Sequence, residues 1–233
     1  LGAELVVKFD LVDFFPTIHY FRVLGLFASL GYYVGTGRFS SDDASLNVAP
    51  TLARLCVYTA DPKIWAGGNL CGILPQGAPA SPAISNLVCR RMDARLAGLA
   101  RQCQGTYTRY ADDLTFSFRH QETRLGRFRW WVDQICHQEG FLVHQDKFRA
   151  IRRSQRQQVT GVVVNDELRV PRTTRRKLRA ISHNCRRHGV ASQSGGHPGF
   201  LAHLRGMADY IHMVHPEEGA RLRAEIDALA GRA

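Results

Sequence analysis

No apolar run in these 233 residues approaches the roughly 18 needed for a membrane helix, which excludes a helical membrane protein. No two of the six cysteines (Cys56, Cys71, Cys89, Cys103, Cys136, Cys185) stand at CxxC spacing, so neither a zinc-finger ligand set nor a disulfide framework is present. Free thiols fit a reducing compartment, and the expected location is the cytoplasm. The stretch Leu1–Asp10 has no initiator methionine, no basic leader and no small-residue cleavage site, so it reads as the interior of a longer chain rather than a secretory signal. Repeats and low-complexity tracts are absent, which excludes solenoids. With hydrophobic residues at 45%, the chain can bury a core and is not a disordered tail.

Acidic residues are also scarce, 20 against 31 Lys and Arg, for a net charge of +11. The imbalance is local. Lys147 to His188 holds thirteen basic residues and two acids, Asp166 and Glu167, and the rest of the chain is neutral. A charge so concentrated marks a polyanionic partner, most simply nucleic acid. A membrane surface fits less well, because the segment lacks a long apolar helical face.

Hydrophobic spacing predicts a buried strand over Leu5–Asp10 and helices over Tyr20–Leu30, Ala49–Thr59 and Ala83–Ala100. Tyr32–Asp43 and Asp61–Leu70 read as loop and turn. Thr106–Tyr110 and Leu114–Phe118 flank Ala111-Asp112-Asp113 as a hairpin with two carboxylates at its tip. A helix over Leu125–Glu139 ends at Gly140, and Phe141–Val143 and Val159–Val164 read as further strands. A basic helix runs over Thr173–Arg187 with Thr173 or Thr174 as its cap, and two more cover Phe200–His215 and Pro216–Leu229. This mixture without strict βαβ alternation predicts an α+β fold. Of Trp130 and Trp131, one is expected in the core and the other at its margin; nothing in the sequence alone supports a base-stacking platform there. The ten histidines lack zinc-site spacing and read as surface or nucleic-acid-facing groups. Cys71 reads as a small apolar residue near the Gln76 loop.

Carboxylates beside buried strands are costly unless a cation or hydrogen bonds compensate them. Asp10 and Asp112 can face a common point if their strands are neighbours. Hard oxygen ligands there would suit Mg²⁺, and two such ions serve phosphoryl transfer. Taken alone, an Asp-Asp pair between strands is more often a solvated turn.

Three segments carry a resemblance. Tyr110-Ala111-Asp112-Asp113 is similar to the YxDD box of reverse transcriptases. Phe9-Asp10-Leu11-Val12-Asp13-Phe14-Phe15 resembles their first palm motif, and Leu74-Pro75-Gln76-Gly77-Ala78-Pro79-Ala80-Ser81-Pro82 their LPQGxxxSP motif. Order and spacing agree, and the likeness spans Leu5 to the final helices. It implies a palm (an antiparallel sheet packed on helices, ferredoxin-like) over 1–168 and a mostly helical thumb over 169–233. The fingers are expected upstream of residue 1, so this chain alone is expected to have little polymerase activity. By the same resemblance Asp10, Asp112 and Asp113 are the catalytic carboxylates holding two Mg²⁺ ions. Asp13, Phe14, Phe15, Gln76, Gly77 and Lys147 lie at the nucleotide, with Phe15 excluding a 2′-OH by a clash. Lys147 serves as a charge or proton donor to pyrophosphate. Tyr110, Arg172, Arg175, Arg176, Lys177 and Arg179 meet the nucleic acid.

The Thr108–Thr115 stretch and Val159-Thr160-Gly161 are similar to bacterial retron enzymes. That implies an RNA template and primer, dNTPs, nascent DNA, a structured retron RNA, a branched RNA–DNA product, and an effector protein in antiviral defence. Group II intron and diversity-generating enzymes share the palm boxes. A silent RNA-binding module is the other class of reading. It leaves clustered acids beside a phosphate backbone without a use, and a generic basic RNA-binding domain makes the three boxes coincidence.

Overall fold

The computed structural model describes residues 1–34, 47–59, 72–120 and 124–230. Cys71, the 61–70 turns and most of the 32–43 loop lie outside them. The fold is α+β, in two compact units: Glu4–Ala150, and Leu1–Ala3 with Ile151–Ala233. Among the described residues no helix is long and apolar enough to cross a membrane.

The larger unit is built on β1 (Leu5–Asp10), β2 (Gly105–Tyr110) and β3 (Asp113–Phe118) in the order β2-β3-β1, and β4 (Arg149–Arg152) spans the boundary of the two units. β1 and β2 both run antiparallel to β3. Side chains alternate faces along each strand. Leu5, Val7 and Phe9 with Leu114, Phe116 and Phe118 therefore line one face, and all six are buried. α1 (Phe14–Thr17), α2 (Tyr20–Ser29), α3 (Val48–Cys56), α4 (Ser81–Val88), α5 (Arg90–Gln102) and α6 (Leu125–Gln138) belong to the same unit. The core is aromatic: Phe116 meets Phe9 and Phe128 edge-on at 5.7 and 5.0 Å, a geometry that adds to area burial. Burial raises the Cys89 and Cys136 thiols to about 11 and about 12, so both behave as small apolar groups.

The second unit holds a hairpin, β5 (Gln158–Val159) and β6 (Val162–Val163), then α7 (Arg172–His188), α8 (Ala191–Ser194), α9 (Phe200–Val214) and α10 (Pro216–Ala230). Its core is Val170, Leu178, Leu204, Ala208, Ile211, Leu222 and Ile226. The 151–168 segment sits in this unit. Asn165 binds the backbone of Arg153, Gln155 and Gln157, and the buried Gln157 amide donates to Ala3 and Ile151 carbonyls. The two compact units divide between Ala150 and Ile151.

Several sequence expectations need correction. The single helix over Ala83–Ala100 is two, broken at Cys89. The helix at Ala49–Thr59 ends at Cys56, because Tyr58 pairs with Ile73 as an isolated bridge. Phe141–Val143 is no strand; Val143 makes one bridge to Leu11. Val159–Val164 folds back as a hairpin, since Thr160 and Gly161 take positive φ of 47° and 89° and reverse the chain in two residues. The basic helix begins at Arg172 with Pro171 before it, so neither threonine caps it. Trp130 and Trp131 are both exposed, because Phe128, Val132, Ile135 and Cys136 take the inner face of α6.

Candidate active site

The polar face of the sheet gathers the carboxylates. In the antiparallel register Asp10 lies opposite Asp113, and Lys8 opposite Thr115. Tyr110 lies opposite Asp113 on the other side and is 71% exposed. Period-two alternation puts all five on one face, opposite the core. Asp113 is the first residue of β3, so the turn proper is Ala111-Asp112. Ala111 has φ of 51°, a left-handed conformation that costs a non-glycine residue free energy and recurs at functional sites.

Two backbone-directed contacts hold that turn. The Leu11 amide donates to the Asp112 carbonyl at 3.0 Å, and Arg109 Nη1 donates to the Ala111 carbonyl at 3.2 Å. Arg109 is itself fixed: its Nε and Nη2 reach the Asp93 carboxylate of α5 at 2.8 and 2.7 Å. Tyr107 donates its hydroxyl to the same carboxylate at 2.7 Å. Burial opposes the charge on Arg109, but the hydrogen bond to Asp93 outweighs it and raises the guanidinium. Burial and then the Asp93 charge push the Tyr107 hydroxyl up.

Lysines compensate two of the three carboxylates. Lys8 Nζ is 2.7 Å from Asp113, and Lys147 Nζ, from the 3₁₀ turn Gln145–Lys147, is 2.7 Å from Asp10. The Lys147 ammonium is raised by its hydrogen bond to Asp10, and the charges of Asp10 and Asp112 add to that. Its pairing is therefore complete below the ordinary lysine range and is lost only as pH rises through a still higher value, beyond neutrality. Among the described residues no three His, Cys, Asp or Glu side chains converge as a preformed metal cage. The donor chemistry nevertheless fits a hard cation. Asp10 and Asp112 both act on one positive group, the Lys147 ammonium, while Asp113 is held apart on Lys8.

The other residues named from the sequence take these places. Asp13 is exposed, with φ of 44°, and its carbonyl accepts from the Thr17 amide and hydroxyl at the start of α1. Phe14 is buried, stacks on Phe141 at 5.5 Å and touches Phe15, which is half-buried. Gln76 and Gly77 are exposed on a loop that the buried Ser81 hydroxyl pins by donating to the Pro75 carbonyl at 2.6 Å. Leu74 N donates to the Ile18 carbonyl, which ties this loop to the segment bearing Phe15. Gly77 has φ of 93° and open space around it, so the backbone is approachable there.

The arginines of α7 divide. Arg175 and Arg179 both bind Glu218 of α10, whereas Arg172, Arg176 and Lys177 are exposed and carry no ion pair to any described residue. Burial of Glu218 raises its carboxyl, but the hydrogen bonds from Arg175 and Arg179 prevail and lower it.

Lys8, Asp93, Tyr107 and Arg109 were not singled out in the sequence. Lys8 had a usable signal, since it precedes Asp10 by two and must share its face. Asp93 had none, because its partners are fourteen and sixteen residues away on another element.

A family model described as reverse transcriptase (RNA-dependent DNA polymerase) matches residues 51–164, which include the Gln76 loop and the Asp112 turn. Across the whole chain, sequence similarity runs to the retron Mx162 reverse transcriptase of Myxococcus xanthus, at 38% identity and over 49% of that protein. The retron Mx65 reverse transcriptase of the same organism is 40% identical over 95% of this chain and 49% of its own length. The chain spans about half the length of these curated relatives. Among solved structures, a telomerase from Candida albicans in complex with a fragment of telomeric RNA aligns over 94% of this chain and 40% of its own, with TM-score 0.49 and 11% identity.

Proposed function

We propose, from the premise that this chain belongs to the retron-type reverse transcriptases, that it is the catalytic portion of an RNA-directed DNA polymerase. In this reading the 4–150 unit is the palm, and the basic helix α7 opens the thumb. The observation that carries the proposal is the pairing of Asp10 across the sheet from Asp113, with Asp112 in the adjoining turn and the Lys147 ammonium hydrogen-bonded to Asp10. Mg²⁺ held by Asp10 and Asp112 would supply charge neutralisation for nucleotidyl transfer from dNTP to a primer hydroxyl, the α–β phosphate bond breaking and pyrophosphate leaving. The chain's own residues do the rest. Arg109 and the Leu11 amide hold the turn. Lys147 stands by as an ammonium for the triphosphate. Gln76 and Gly77 offer an exposed surface to the base pair, and Tyr110 to the primer end.

The retron lineage further proposes a structured RNA template, a branched RNA–DNA product and a place in antiviral defence. The test is to express the protein with its upstream sequence and measure Mg²⁺-dependent dNTP incorporation on an RNA template, then to sequence the RNA that co-purifies. No synthesis by that protein would overturn the enzyme reading. A mixed population of cellular RNA would overturn the retron lineage.

Two predictions belong here. Phe15→Ala opens the space beside the sugar, and the dNTP over rNTP preference in kcat/KM should fall by about 10-fold or more, a steric discrimination of the size a pocket contact supplies. Unchanged selectivity would remove Phe15 from the sugar site. Arg176→Ala with Lys177→Ala should flatten the salt dependence of RNA binding by roughly one log–log unit per charge while leaving the melting temperature in place. Arg175→Ala should lower the melting temperature as well, because it strips a partner from the mostly buried Glu218. Equal effects of the two substitutions on stability would contradict the division of the helix.

A further inference from the structure

We infer that the larger unit carries a second nucleic-acid site, at the end of its sheet away from the carboxylates, which holds a single strand by base stacking and phosphate pairing. The observation is a cleft of about 670 Å³, a size that accommodates a nucleotide. It is framed by Gln102 at the end of α5 and Gln104 after it, His120 after β3, Arg124 before α6, and Arg127 and Trp131 on α6. The floor is Phe128, buried and packed edge-on against Phe116 and Phe118. The floor is therefore rigid core, not a mobile surface.

Helical geometry explains the outer wall. Arg127 and Trp131 stand at i and i+4 on α6, beside the inward-facing Phe128, Val132 and Ile135, and Arg124 lies just before the helix. Trp130 and Trp131 are 53% and 41% exposed and brace one another at 4.7 Å between ring centroids, 74° apart. A tandem pair of solvent-facing tryptophans leaves a large apolar area uncovered, which is uncommon without an occupant. Charge names that occupant. No acidic side chain lines the cleft among the described residues, and neither Arg124 nor Arg127 forms an ion pair with one. Guanidinium groups and an indole lining one cleft suit a polyanion whose units carry planar rings, which is the chemistry of single-stranded nucleic acid.

The site is distinct from the catalytic one. β3 starts at Asp113 and ends at Phe118, so His120 and the cleft lie about 20 Å from the carboxylates along the strand. The inference does not depend on the polymerase assignment, since an inactive RNA-binding protein would hold a strand there equally well. In a polymerase it would grip template or product strand outside the duplex channel.

The test uses the protein with its upstream sequence and fluorescein-labelled oligouridylate and oligothymidylate. Two variants are compared with the parent: Trp131→Ala, and Arg124→Ala with Arg127→Ala. Each should bind both oligomers at least about 5-fold more weakly, the loss expected for one stacked base. Trp131→Phe should recover part of the affinity. Tryptophan emission should fall on adding either oligomer to the parent protein, and extension of a short pre-annealed primer–template should proceed unchanged in all variants. Unaltered affinity in variants that melt at the parent temperature, or tryptophan emission indifferent to the oligomers, would overturn the site.

Discussion

Asp10→Asn and Asp112→Asn should each reduce DNA synthesis by more than about 100-fold, beyond the 10–100-fold that loss of an outer-shell partner of a metal costs. The substitution keeps the shape and one acceptor oxygen but removes the charge. Both carboxylates act on a single cation in this structure, the Lys147 ammonium. Neutralising either one weakens the site for any hard divalent ion, whose binding depends on charged oxygen ligands. Stability should hardly change, because Lys147 is 55% exposed and exposed pairs contribute little. The assay is the initial rate of dNTP incorporation on an RNA template across a Mg²⁺ titration, with melting curves alongside. Asp113→Asn should differ in kind. It strands Lys8, whose side chain is 22% exposed, and should lower the melting temperature as well as the rate. Retention of a tenth or more of the rate by Asp112→Asn would place the chemistry elsewhere.

The second large effect is expected far from any ligand. Asp93→Ala should destabilise the protein by about 3 kcal/mol, the lower end of the range for breaking a buried ion pair, since Asp93 keeps some contact with water. The Arg109 side chain is 5% exposed and would be left charged with no carboxylate, and the Tyr107 hydroxyl would lose its acceptor. The damage should reach the active site. Arg109 is the group that binds the Ala111 carbonyl, and Ala111 sits in the strained turn that presents Asp112. The rate should therefore fall further than the loss of folded protein explains, measured at a temperature where the variant is still folded. Adding Arg109→Met to Asp93→Ala should restore part of the stability, because it removes the stranded charge. A double variant no more stable than Asp93→Ala would show that the pair is not what holds the hairpin to α5.

Much of this was legible along the chain. Leu5–Asp10 shows a buried strand because an apolar, β-branched run ends on a carboxylate, and the helix at Leu125–Gln138 shows its inner face through Phe128, Val132 and Ile135 at helical spacing. The hairpin was marked by two β-prone runs around Ala111-Asp112-Asp113. Expectations failed where a few residues could go either way. Val159–Val164 is apolar enough for one strand, yet Thr160-Gly161 turns it back on itself. One of Trp130 and Trp131 was expected in the core and the other at its margin, but the helix phase set by Phe128 and Val132 leaves both rings exposed.

The order of residues alone dictates the period-two face shared by Lys8 and Asp10, the concentration of positive charge between Lys147 and His188, and the family to which the chain belongs. These depend on backbone geometry and composition, which are local. The pairing of Lys147 with Asp10 across 137 residues, the clamp of Asp93 on Arg109, the split of the α7 arginines over Glu218, and the cleft beside Trp131 could emerge only on folding. Each is a contact between elements whose separation in the sequence carries no record of their distance in space. Each depends on which element packs against which, and the burial of the two separate cores decides that.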